Sequence, residues 1–244
     1  MKEREKMEPA AKVAGLFGLD VSHWQGQVDW KLVKDAGVQF VYVKATEGIG
    51  YVDSWYDRHI AGAKAAGLPC GSYHFFQPTE SVAKQVENFV HRVGPLKVGD
   101  LPPVLDVEMP PDWSGINVSE RVKGVSDWLV AVEQQLGVTP IIYMSPSFAG
   151  DELGHPAFLK KYQLWVAHYT LATAPTVPAP FTSWLFWQYS ETTAVPGVQG
   201  HADVNWFNGT LDDLRQLMIK GAANQTLTER IASSMQALFN RVFK

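Results

Sequence analysis

The strongest constraint on the fold is an alternation that runs the length of the chain. Short runs rich in β-branched and aromatic residues lie at 15–22, 39–45, 69–76 and 101–108. Between them, 28–36, 55–66, 81–93 and 118–136 carry apolar residues at helical spacing, and Gly37, Gly67, Gly94 and Gly137 end these stretches. Further strand-like runs follow at 140–144, 164–169, 184–189 and 202–207, and 211–219 has a helical period. Strands alternating with helices of this length make βα units and a parallel sheet. About eight such units in roughly 200 residues predict an α/β fold, a single irregular (β/α)8-type (TIM-like) barrel. The second half is expected to be incomplete or flattened, because 172–180 is proline-rich and has no helical period.

Three regions follow from this pattern. Residues 1–14 are a charged lead-in, 15–220 the barrel, and 221–244 a helical extension. In the extension Ile231, Met235, Leu238, Phe239 and Val242 share one face, which suits docking on the barrel or on a partner. Residues 1–12 are polar with no apolar core, so no secretory signal is expected, and no stretch suits a membrane span. Synthesis in the cytoplasm, with action elsewhere, would need lysis or an injection route. The single cysteine, Cys70, permits no internal disulfide and fits a small core residue. A formal net charge of −4 argues against nucleic-acid binding. Nine Trp and eight Tyr exceed what a core of this size requires, so a sugar cleft would use the surplus, with burial the alternative.

Barrel enzymes work from the C-terminal ends of their strands. Those ends carry Asp20, Glu47, Tyr73 with His74, Asp106 with Glu108, Tyr143, His168 with Tyr169, Gln188 with Tyr189, and Asp203. Strand side chains alternate, so Asp106 and Glu108 face one way and Val107 the other. Two neighbouring carboxylates repel, and one should hold its proton more tightly. A glycosidase needs such a pair. Closure of a barrel would also bring Asp20 beside Asp203. There is no His-Glu-x-x-His, cysteine pair, P-loop, dinucleotide turn or Gly-x-Ser-x-Gly, so no metal and no cofactor is expected.

Six ordered motifs carry a resemblance: Gly18-Leu19-Asp20-Val21-Ser22-His23-Trp24-Gln25-Gly26, Phe40-Val41-Tyr42-Val43-Lys44-Ala45-Thr46-Glu47-Gly48, Gly71-Ser72-Tyr73-His74-Phe75, Leu105-Asp106-Val107-Glu108, Trp187-Gln188-Tyr189 and Asp203-Val204-Asn205-Trp206-Phe207-Asn208-Gly209. With these the chain resembles the Chalaropsis-type lysozymes, glycoside hydrolase family 25. The resemblance implies cleavage of the β-1,4 bond between N-acetylmuramic acid and N-acetylglucosamine in bacterial peptidoglycan. It implies Glu108 as general acid, and Asp106 as an ionised group that orients the substrate's N-acetyl group or attacks directly; both routes stay open. Asp20 and Asp203 would line the floor of the site. Tyr73, Tyr143, Trp187, Gln188 and Tyr189 would contact sugar. For Glu47, with Lys44, a salt bridge and a substrate contact are both open. The absence of repeated wall-binding modules and of a signal fits a phage lysin or an injected enzyme. A sugar-binding barrel without turnover, a structural part of a larger particle and a chitin-directed hydrolase are the alternatives.

Overall fold

The computed structural model describes residues 15–220. The expectations for 1–14 and 221–244 lie outside the described residues. Nine strands form one sheet: β1 (Leu16–Val21), β2 (Phe40–Glu47), β3 (Tyr51–Val52), β4 (Cys70–Phe75), β5 (Val104–Asp106), β6 (Ile141–Met144), β7 (Gln163–Ala167), β8 (Phe186–Thr193) and β9 (Ala202–Phe207). Their order is β1-β9-β8-β7-β6-β5-β4-β2-β3, and β1 also pairs with β2. Eight strands therefore close a barrel, and β3 folds back on β2 as an antiparallel appendage.

The helices are α1 (Trp30–Asp35), α2 (Tyr56–Ala65), α3 (Val82–Val93), α4 (Val118–Leu136), α5 (Pro146–Asp151) and α6 (Leu211–Leu217). Their ends follow the chemistry of the sequence. The Asn117 side chain accepts from the Glu120 amide at the start of α4, and Gly137 closes it in the left-handed region at φ 70°. Between β7 and β8, and between β8 and β9, no α-helix intervenes. The irregular second half is thus observed, and the barrel nevertheless closes.

One strand departs from the expected parallel plan. β9 runs antiparallel to both β8 and β1. Its start, not its end, lies at the C-terminal rim of the barrel, and Asp203 is its second residue. The register pairs Asp203 with Asp20.

The strands divide the apolar residues into two layers. Inside the barrel, Phe40, Tyr42, Val104, Ile141, Trp165, Phe186 and Phe207 pack together. Glycines make room for these rings: a Cβ on Gly18 would lie 2.2 Å from the Phe40 ring, and one on Gly71 would lie 2.1 Å from Tyr42. Outside, Val21, Val43, Val107, Trp128, Trp187 and Tyr189 pack with the helices. Cys70 belongs to this outer layer, where burial pushes its thiol up to about 12 and keeps it inert.

Candidate active site

The rim at the C-terminal ends of the parallel strands holds a cavity of about 120 Å³. Asp20, Asp106, Glu108 and Asp203 line it, with Tyr73, Tyr143, Tyr169, Trp165, Gln188 and Glu191. Three separate segments deliver the four carboxylates. β1 carries Asp20 and β5 ends on Asp106. Extended pairing continues one residue further, where the Val107 amide donates to the Tyr143 carbonyl at 3.0 Å. Glu108 then returns to the cavity side while Val107 is fully buried on the other. The next residue, Met109, takes the left-handed region at φ 56°, a strained conformation for a side chain of this kind. The Trp113 indole donates to the Glu108 carbonyl at 2.9 Å and fixes the backbone of the acid.

Donors converge on Asp20. Asn205 Nδ2 and Gln188 Nε2 donate to its Oδ2 at 2.7 and 2.9 Å. Trp165 Nε1 donates to Asn205 Oδ1 at 2.8 Å, and the Tyr143 and Tyr169 hydroxyls each donate to Gln188 Oε1 at 2.7 Å. Both amides are thereby fixed with their NH2 groups toward Asp20. Burial raises the Asp20 carboxyl, and hydrogen bonds from Asn205, Gln188 and Asp203 oppose the rise. Asp203 is pushed up to about 9, by burial first and then by the charge of Asp20. The proton shared by this pair therefore sits on Asp203, and Asp20 carries the charge.

The second pair is less well supplied. Burial raises Asp106 well above the carboxylate range, and the charge of Glu108 adds to this. Asp106 Oδ1 is buried and has no hydrogen-bond partner among the described residues. Glu108 rises from 4.5 to about 7, by burial first and then by the charge of Asp20. The Lys44 cation works against both shifts. Burial thus acts on both acids of this pair, and Lys44 is the cation that opposes it.

Of the expected sugar contacts, Tyr73, Tyr143 and Gln188 line the cavity, and Trp187 and Tyr189 do not. They flank Gln188 on a strand, so they point to the opposite side. There Trp187 is fully buried with its indole on the His168 carbonyl, and Tyr189 stacks on Trp206 at 5.7 Å. Glu47 is not on the lining either. It pairs with Lys44 at 2.6 Å and accepts from Gln77 at 3.0 Å, so the salt bridge is what forms. Trp165, Glu191 and Asn205 were not singled out from the sequence. Alternation from Gln188 would have pointed past Glu191, because the register of β8 against β9 shifts between Gln188 and Ser190.

Residues 19–198 match the model of the family described as glycosyl hydrolases family 25, a span that includes Asp20, Asp106 and Glu108. Lysozyme M1 of Streptomyces globisporus is 37% identical over 207 residues, covering 82% of this chain and 70% of its own length. The N,O-diacetylmuramidase of Chalaropsis sp is 31% identical over 214 residues, covering 82% of this chain and 97% of its own. The crystal structure of the bacterial lysozyme from Streptomyces coelicolor superimposes with a TM-score of 0.81 at 36% identity, covering 85% of this chain and 98% of that one. A closed barrel with an acidic mouth, a family match over most of the chain and relatives at this level of identity agree: the chain belongs to glycosyl hydrolases family 25.

Proposed function

We propose that this chain cleaves the β-1,4 bond between N-acetylmuramic acid and N-acetylglucosamine, with Glu108 as general acid. Its family and relatives make it a glycoside hydrolase of the lysozyme type, acting on peptidoglycan. The observation that supports the assignment of the acid is the place of Glu108 in the cavity wall beside Asp20, Asp106 and Asp203, where burial and the charge of Asp20 push its carboxyl up to about 7. An acid with a pKa near the working pH is protonated when substrate arrives and regains its proton easily. Asp203 holds its proton too tightly, and that proton is engaged with Asp20.

In this reading Glu108 protonates the glycosidic oxygen as the bond to C1 breaks. Asp106 accepts the N–H of the sugar's acetamido group on its bare oxygen. The acetamido carbonyl oxygen then bonds to C1 in place of the leaving group. Glu108, now a carboxylate, takes a proton from water as the water opens that intermediate, which retains the configuration at C1. Direct bonding of Asp106 to C1 is the competing route. The buried, unpartnered Oδ1 supports the first, because an N–H donor would satisfy it.

The test is mass spectrometry of the products from purified cell walls after borohydride reduction. Muramic acid at the new reducing ends is expected, and N-acetylglucosamine there would contradict the reading. Glu108→Gln should lower release by about 10²–10⁴-fold while wall binding survives. Undiminished release by that variant would remove Glu108 from its role.

A further inference from the structure

We infer that Trp24, His23 and Tyr51 form an outlying saccharide subsite, on which a further N-acetylhexosamine ring of the same glycan strand rests while the bond to be cut lies beside Glu108. This rests on the muramidase reading above. Trp24 is 81% exposed, whereas Trp113, Trp128, Trp165 and Trp187 are fully buried. A large aromatic held in water is the informative exception to burial.

The platform is built, not loose. The Trp24 and His23 rings lie 4.6 Å apart at 36°, and the Tyr51 ring lies 6.0 Å from His23. Ser22 and Gln25 close a capping box around the turn that carries Trp24. Beneath it, the buried carboxylate of Asp53 accepts from the His23 amide at 2.9 Å and lies 3.1 Å from its ring Nδ1. The Tyr51 hydroxyl lies 3.0 Å from the same ring nitrogen. The other oxygen of Asp53 accepts from the Trp55 amide at 2.9 Å. One buried acid thus locks both loops, so little ordering remains to be done when a ligand arrives.

Position selects the occupant. The turn follows β1 directly after Asp20 and Val21, and Tyr51 stands in the hairpin that extends β2. Lys44 Nζ lies 5.6 Å from the centre of the Tyr51 ring and also pairs with Glu47 at the end of β2, which ties the hairpin to that strand. In the closed ring of eight strands β2 stands opposite β7, whose following loop exposes Tyr169 and Leu171. A polymer crossing the mouth between these sides would pass over the carboxylates toward the neighbouring loops after β1 and β2, which carry Trp24 and Tyr51. Pyranose rings present C–H faces that pack on aromatic faces, and a glycan strand continues beyond the bond being cut.

The test uses Trp24→Ala and Trp24→Phe in the full chain, with peptide-free glycan strands of graded length. Trp24→Ala should raise KM about tenfold on long strands with kcat little changed, the pattern of binding lost equally from the ground and transition states. The penalty should shrink as the strands shorten and vanish on strands too short to reach the platform. Trp24→Phe should restore most of the loss. An equal penalty at every length, or none at any length, would overturn the subsite. Failure of the unaltered enzyme to cut any strand would overturn the muramidase reading, and the subsite with it.

Discussion

Glu108 owes its late ionisation to burial and to the charge on Asp20, and the same setting strains the folded state. Its carboxyl titrates at about 7 when folded and near 4.5 when unfolded. Folding therefore favours the protonated form. The cost is absent below about 4.5, grows as pH rises, and is complete above about 7. Glu108→Gln removes the charge, so it should match the parent near pH 4 and exceed it at pH 8 by on the order of 1–3 kcal/mol. Thermal unfolding at the two pH values checks this, and identical differences at both would contradict it. The four acids were legible in the sequence because each sits at a strand tip beside polar or aromatic neighbours. Trp187 and Tyr189 misled for a simple reason: they share a motif with Gln188, but alternation sends them outward. Asn205 sat unweighted within a motif, and its role appears only once its amide is seen to bridge Trp165 and Asp20.

At the scale of elements, the reversal of β9 delivers Asp203. A strand of alternating residues looks the same whichever way it pairs, so sequence placed Asp203 at the rim for the wrong reason. The two-residue β3 and the short α5 were too brief for periodicity. Ser145 as cap with Pro146 in the first turn was the usable signal for α5. The long helices were legible because caps and apolar spacing agree, and α4 begins and ends where the pattern does. Close packing in the barrel interior gives a sharper prediction. Gly71→Ala would set a methyl 2.1 Å from the Tyr42 ring, which packs against Trp165 and Phe186. Such overpacking should cost about 1–3 kcal/mol. Chemical denaturation checks this, and an unchanged midpoint would show that the ring can move aside.

For the molecule as a whole, the barrel is a device for bringing distant residues together. Asp20 and Asp203 are adjacent in space only because β9 closes the sheet against β1. The alternation of the first half implied the barrel. Its closure despite two connections without α-helices depends on long-range pairing that no local pattern encodes. The Trp surplus mostly fills the two apolar layers, not the cleft. Functionally, the barrel couples Asp20 to Glu108 through charge. Above about pH 7, kcat/KM should fall as Glu108 loses its proton. Asp20→Asn removes a charge that raises Glu108, so the falling limb should move to lower pH; a limb that stays in place would contradict the coupling.

The most direct measurement is an NMR titration of the Glu108 side-chain carboxyl carbon in the intact enzyme, assigned by its absence in Glu108→Gln. A midpoint of about 7, displaced downward in Asp20→Asn, is the expected result. A midpoint near 4.5 would mean that the carboxyl is ionised before substrate arrives, and Glu108 could not be the proton donor.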